Sequence, residues 1–397
     1  MKQKPRLVMV TPIITTDQSL KFYNAQMVAL KKGLGHYFDV TIVTRKACRG
    51  GKKGVVFAVD GIVYLDFVPI PVLHSVERAI GTYMVGLEAV LDLLNPDAVV
   101  CTEDFSFTTM RVVRFCRKRN IPSVVWQGPY YYFGLDHGFL HRIYARAIGR
   151  RVYQQATVFV GKTRKAASFL HQLGVEVDRL AVIPPCIDFE LFKRNEEPRN
   201  EVARYFRKEE KTLLYVGQLL EGKKTHVLLH ALAGLVHVLP GIHLLIITQG
   251  GPEKVRVKGL ISRLGLGHCV TILYSVPNRL MNGFYSLAYA TVSSTRNTEI
   301  FGMNILESLA CGTPVVSTPH AGALEMLRGR RNGIVTDGFT DQDLALGIRT
   351  IITDSKLHEE LQANARSSVR NVFSIEATSE RWRELLVSLL HVADFTH

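Results

Sequence analysis

The sequence predicts an α/β protein of two doubly wound parallel-sheet domains that face one another across an interdomain cleft. Three observations predict it. The chain has 397 residues, more than one ordinary core holds, and domains usually run to about 150 to 200 residues. Short apolar runs alternate with helical stretches through both halves, the pattern of parallel sheets covered on both faces. Between the two series, residues 193–210 hold Pro198 and eleven charged side chains, which reads as a linker and the entry to the second domain. Ligands of doubly wound sheets bind beyond the carboxyl ends of the strands, so two such sheets imply a cleft. At 47% hydrophobic and 21% charged residues the chain is globular rather than disordered.

In the front half, residues 7–10, 40–43, 98–101, 123–126 and 157–160 read as strands, with helices at 22–32, 76–94 and 109–119 between them. The back half repeats the rhythm with strands at 212–216, 243–248, 270–273, 290–293 and 315–317. Residues 227–248 carry no Asp, Glu, Lys or Arg over 22 positions, the length a bilayer needs. Pro240-Gly241 and the histidines at 230, 237 and 243 divide the stretch into a buried helix over 227–239 and a parallel strand over 243–248, so no membrane span is predicted.

Six cysteines (Cys48, Cys101, Cys116, Cys186, Cys269, Cys311) lie far apart, with no Cys-x-x-Cys and no histidine cluster at metal spacing. A reducing cytosol is the setting this suggests. The first five residues lead straight into the strand-like run at 7–10, so no secretory signal is expected. The net charge of +14 is uneven, +11 over residues 1–200 and +3 over 201–397. It concentrates at 45–53, 111–119 and 141–151, patches that attract phosphates of lipids or of an anionic acceptor. No zinc finger, RNA-recognition motif or helix-turn-helix accompanies them, which disfavours nucleic acid.

The chemistry is most legible in residues 294–322, STRNTEIFGMNILESLACGTPVVSTPHAG. Asn304 is expected to cap a helix through Leu306, Glu307 and Leu309 that stops at Gly312, with a buried strand over 313–318. The amides of Phe301, Gly302, Met303, Asn304 and Ile305 would then be open at a helix N-terminus, where a diphosphate can rest. Glu307, in the first turn, could accept both hydroxyls of a ribose, and Glu299, in the preceding loop, hydroxyls of a hexose. Gly302 lets backbone approach the ligand. Asn304 with Glu307 is also an Asn-x-x-Glu capping box, but a cap needs no second carboxylate eight residues upstream.

Glu299-x7-Glu307, followed by Ala310-Cys311-Gly312-Thr313-Pro314-Val315-Val316 and the Ala321-Gly322 turn, resembles the signature of retaining family-four glycosyltransferases of the GT-B fold. The stretches 182–192 (VIPPCIDFELF), 213–220 (LLYVGQLL) with Lys223-Lys224, and 244–252 (LLIITQGGP) follow the family's order. The likeness covers most of the chain, specific in the back half and limited to element order over the first 180 residues. It implies an N-terminal Rossmann-like acceptor domain over 1–192, a C-terminal Rossmann-like nucleotide-sugar domain over 193–374, and a final helix, within 375–397, that crosses back to the first domain. It implies a hexosyltransferase that uses a UDP- or GDP-sugar and keeps the anomeric configuration, with no cofactor beyond that donor. Cytoplasmic placement with a peripheral contact on an anionic membrane, and a sugar or lipid-linked hydroxyl as acceptor, go with this reading.

The resemblance also assigns roles. Lys224, after the strand-turn of Val216, Gly217 and Gln218, stands where the family keeps a lysine on the leaving phosphate. Gln218 stands where many relatives carry an arginine, and a neutral amide binds phosphate less strongly. Gln127 falls near the place of a histidine beside the reacting sugar; it can hydrogen-bond a hydroxyl but cannot act as base. Residues 14–21 lack the Gly-Gly pair that relatives often show; either Lys21 supplies a charge there instead or the loop is remodelled. Residues 130–133, three tyrosines and a phenylalanine, could line an acceptor groove or a packed surface equally well. Tyr274-Ser275-Val276 is the base-side loop. Cys186, where a glycine is usual, reads as packing. Asp341-Gln342-Asp343 formally matches a metal-binding Asp-x-Asp, but it opens a helix over 344–352, so capping is expected and no essential metal. Two other classes share such a cleft: a sugar-nucleotide hydrolase, epimerase or phosphorylase, and a catalytically weak sugar-nucleotide binder.

Overall fold

A computed structural model of the chain describes residues 3–11, 21–45, 57–69, 82–104, 106–129, 139–195, 197, 200–206, 210–296 and 299–394. They form two units, Met1–Cys186 with Ile375–His397, and Ile187–Ser374. Unit 1 contains β1 (Arg6–Thr11), β2 (Asp39–Arg45), β3 (Phe57–Val59), β4 (Ile62–Leu65), β5 (Phe67–Pro69), β6 (Thr82–Met84), β7 (Ala98–Thr102), β8 (Ser123–Gln127), β9 (Val158–Gly161) and β10 (Leu180–Val182). Eight of them make one sheet in the order β10-β9-β8-β7-β1-β2-β4-β3, parallel except for the β3–β4 hairpin. The run RLVMVT of β1 shows why the strands read as continuous apolar stretches. Val8 and Val10 pack on one face with Leu87, Leu91 and Val112, and Leu7 and Met9 on the other with Met27, Leu30 and Trp126.

The final helix, Ile375–Asp394, covers that second face beside the helix Lys21–Leu34. Trp382 meets Trp126 edge to face at 5.6 Å, and Gly33 lets the two helices touch, since a Cβ there would stand 1.9 Å from Ser379 Oγ. Two local readings need correcting. The helix expected over 76–94 begins only at Leu87: Gly86 is left-handed (φ 74), and residues 82–84 are β6, paired antiparallel with β5. Residues 76–81 lie outside the described ones. The β3–β4 hairpin was not expected, although Asp60-Gly61 (φ 50 and 70) is the two-residue turn its strands need.

Unit 2 contains β11 (Lys211–Val216), β12 (Ile242–Thr248), β13 (Val270–Tyr274), β14 (Ala290–Ser293), β15 (Val315–Ser317) and β16 (Gly333–Val335). The sheet is all parallel in the order β13-β12-β11-β14-β15-β16, a Rossmann arrangement with its reversal between β11 and β14. Every residue of β12 is buried, and the uncharged stretch at 227–248 resolves into the helix Thr225–Leu235, a turn at Gly241 (φ 79) and this strand. Within the stretch expected as a linker, residues 200–206 are packed. Val202, on the short helix Asn200–Ala203, lies in the unit 2 core, and Tyr205 and Phe206 pack on Phe284 at 6.0 and 6.1 Å. The division falls at Cys186–Ile187 rather than 192–193, because Ile187, Phe189 and Phe192 belong to that core.

Candidate functional site

In a doubly wound sheet the strand order reverses where two neighbouring loops diverge, and that point is the natural crevice. In unit 2 the loops leaving it are those after β11 and β14, which carry Gly217 to Lys224 and Ser294 to Gly302. They are stitched together: Ser294 Oγ donates to Lys223 O at 2.9 Å, and the Arg296 N–H to Gly222 O at 2.9 Å. Gly217 holds the loop's start through its N–H to Ile247 O at 3.1 Å. The stitching delivers Lys223 to Glu299. Their side chains form an ion pair, 26% and 17% exposed, and the Gly302 N–H also donates to the Glu299 carboxylate. Burial raises the Glu299 pKa, but the Lys223 ammonium and the nearby His320 outweigh it and hold the carboxyl below its ordinary value. Burial lowers that of Lys223, and Glu299 reverses the effect, so both groups stay charged.

Lys224 goes elsewhere. It is left-handed (φ 47) at the N-cap of the helix Thr225–Leu235, and its Nζ lies 3.4 Å from Glu221 Oε1. Of the lysine pair, the structure brings Lys223 and not Lys224 to Glu299. Gln218 is exposed, and its carbonyl accepts from the Tyr215 hydroxyl at 3.4 Å.

The helix Met303–Ala310 starts two residues earlier than expected. Its N-cap is Gly302 (φ 82) with no side-chain cap, so Asn304 is half-buried inside the first turn and the Asn304–Glu307 capping box does not form. Glu307 instead accepts the Tyr285 hydroxyl at 2.7 Å. Burial pushes the Glu307 carboxyl up to about 7 against the pull of that bond. Two of the five amides expected to be open are engaged: Gly302 N–H on Glu299, and Ile305 N–H on Gly302 O at 3.0 Å. Met303 is half-buried beside them, and Phe301 is a core side chain, edge-on to Phe373 at 5.9 Å. Close packing fixes the glycines here. A Cβ on Gly302 would stand 2.9 Å from His320 Cε1, and one on Gly322 only 1.5 Å from Phe301 O.

Two family models match the chain, "Glycosyl transferases group 1" over residues 197–368 and "Glycosyl transferase 4-like domain" over 22–186. The chain belongs to the family-4-like glycosyltransferases. Curated relatives include D-inositol 3-phosphate glycosyltransferases of Thermomonospora curvata, 30% identical over 60% of this chain, and of Corynebacterium jeikeium, 31% over 53%. The matched stretch spans 59% and 52% of those two proteins. Among solved structures, sucrose-phosphate synthase from Thermosynechococcus elongatus superposes with a TM-score of 0.76 over 98% of this chain and 100% of that one, at 16% identity. Anabaena HepE in complex with UDP and glucose gives 0.73 over 97% and 100%, at 17% identity. These likenesses establish the GT-B fold class for the two Rossmann-like units.

In unit 2, Tyr274 ends β13, 37% exposed, with the ammonium groups of Lys254 and Lys258 at 4.7 and 5.7 Å from its ring centre. Gln127 belongs to unit 1, at the end of β8. Its Oε1 accepts the Asp104 N–H at 2.9 Å and its Nε2 donates to Pro129 O at 3.2 Å, so both ends of the amide are engaged within the chain. Asp343 caps a helix: Thr340 is the N-cap of Asp341–Thr353, and the two residues exchange the reciprocal bonds of a capping box. Among the described residues no three metal-ligating side chains cluster, and no helix is long and apolar enough to cross a membrane. The cysteines at 101, 116, 186, 269 and 311 are buried and form no disulfide; Cys48, the loop at 14–20 and residues 130–133 lie outside the described residues, as does the Lys21 side chain. The sequence reading missed Lys223, His320 and Tyr285 as site residues. A Lys-Lys doublet hides which lysine turns inward, and a tyrosine 22 positions from its carboxylate leaves no local signature.

Proposed function

We propose that the chain transfers a hexose from a UDP- or GDP-sugar to an acceptor hydroxyl with retention of configuration. The observation that carries this is the pair of carboxylates flanking the Gly302 turn at the reversal point of unit 2: Glu299, kept ionised by Lys223, and Glu307, one turn into the helix. Glu299 orients the sugar and Glu307 accepts the ribose hydroxyls. Lys223, held beside Glu299, and the Asn304 amide at the helix start meet the diphosphate, and Tyr274 lies on the base side. The C1–O bond to the diphosphate breaks as the acceptor oxygen bonds C1 on the same face. The leaving phosphate oxygen takes the hydroxyl proton, so no enzyme base is needed and neither is a metal. Support comes from relatives named D-inositol 3-phosphate glycosyltransferase and from a neighbour solved with UDP and glucose. The excess cations of the front half suit an anionic acceptor or a peripheral contact on an anionic membrane.

A catalytically weak sugar-nucleotide binder is the second reading, favoured by one observation: the Gln127 amide is held at both ends by the chain itself. Melting shifts with UDP, GDP and ADP and their common sugars identify the donor, because stabilisation tracks affinity. Transfer by the wild type that Glu299→Gln abolishes, without loss of fold, supports the enzyme. Donor binding with no product on any of a broad acceptor panel supports the binder.

A further inference from the structure

One carboxylate ties three neighbouring strand ends of unit 1 together. Glu103 follows β7, Gly128 follows β8 and Lys162 follows β9, and these strands are adjacent in the sheet. Glu103 Oε1 lies 2.8 Å from Lys162 Nζ, and its Oε2 accepts the Gly128 N–H at 3.1 Å. The Glu103 N–H donates to Trp126 O at 3.3 Å, and the Lys162 N–H to Gln127 O at 2.8 Å. The two charged side chains are 5% and 6% exposed, and Lys162 Nζ stands 4.9 Å from the centre of the Trp126 ring. Beside them Asp104 holds the Gln127 amide through its N–H and accepts the Tyr153 hydroxyl on its carboxylate. Glu103 does all this from a left-handed backbone (φ 63).

As a source of stability alone this is a poor device. The desolvation of a buried ion pair offsets most of its attraction, and a non-glycine residue in the left-handed region is strained. What the node achieves is placement. It pins the backbone from Gln127 to Pro129 on both sides, at the carboxyl edge where doubly wound sheets hold ligands. We propose that Glu103 and Lys162 are positioning residues for the acceptor, fixing the segment from Gln127 to Pro129 against which the acceptor hydroxyl is presented. This rests on the transferase reading.

The test compares the full-length wild type with Glu103→Gln and with Glu103→Gln/Lys162→Met, whose node is neutral and keeps its approximate shape. In both variants the acceptor KM rises about tenfold or more, while the donor KM and the UDP dissociation constant stay within about twofold. Amide exchange in peptides spanning 127–129 speeds up about tenfold, and unit 2 peptides exchange as in the wild type. A folded double variant with wild-type acceptor KM overturns the proposal, whatever its exchange. So does a parallel rise of donor and acceptor KM with a lowered melting temperature, the mark of general loosening. If the wild type itself transfers nothing, the transferase reading is what fails. Exchange at 127–129 then decides alone whether the pair fixes this segment, and unchanged exchange in the double variant ends the claim.

Discussion

Lys223 and Lys224 are neighbours in sequence and part company in space: one reaches Glu299, the other Glu221. The reason lies in the backbone, since Lys224 is left-handed and turns its side chain away as the next helix begins. Lys223→Met leaves the Glu299 charge largely buried without its partner and lowers stability by about 3 kcal/mol in urea unfolding. The pH dependence has a definite sign. Glu299 is held below its ordinary pKa, so its contribution is present above about pH 5 and lost as pH falls through its folded value. Lys223 is raised above 10.5, so its contribution is lost only as pH climbs past that value. The stability gap between wild type and Glu299→Gln therefore closes in acid; a gap that stays constant down to about pH 3 contradicts the pairing. Glu307 behaves oppositely. With its carboxyl raised from 4.5 to about 7, it favours the folded state below pH 4.5, and that advantage is lost as pH rises through 7. The loss amounts to about 3 kcal/mol. A ribose diol donates best to the ionised form, so UDP affinity rises about tenfold between pH 6 and pH 8. Calorimetry with Glu307→Gln checks this, because the same slope in that variant assigns the titration to another group.

At the scale of elements, what was legible depended on how local the cause was. Strands such as β12 bury both faces and show it in a run such as Leu244-Leu245-Ile246-Ile247, so a parallel sheet could be read directly. The Thr340 capping box needs only four residues, and the structural role expected for the Asp-x-Asp stretch followed from them. The start of the Met303–Ala310 helix was misread because Asn304 is a good cap in isolation. Gly302 does that job through its backbone conformation, and a side chain there would crowd the ring of His320. β6 was lost inside an apparent helix because its partner β5 lies in a different stretch of chain. Gly322 makes the sharpest prediction at this scale. A methyl there meets the Phe301 carbonyl, so Gly322→Ala must shift the turn beside Glu299; a loss of about 2 kcal/mol or more with weakened UDP binding is expected, measured by melting with and without ligand.

For the molecule as a whole, composition limited the possibilities without choosing among them. Two doubly wound domains followed from length and rhythm, whereas the core role of residues 200–206 depended on contacts with Phe284 that no local pattern announces. The charge excess of the front half includes Arg114, Arg117 and Lys118, all exposed on the helix Phe107–Lys118. If it serves an anionic membrane, co-sedimentation with vesicles containing phosphatidylserine exceeds that with phosphatidylcholine alone and fades between about 0.05 and 0.5 M salt. Equal binding to both compositions removes that role.

The helix Ile375–Asp394 gives the order of biosynthesis a consequence. Because it roofs Trp126 and Gly33 in unit 1, the ribosome delivers the lid of the first sheet after the whole of unit 2 has been made. The later half of the polypeptide can mature while the earlier half waits with an apolar face uncovered, a window in which chaperones would find it.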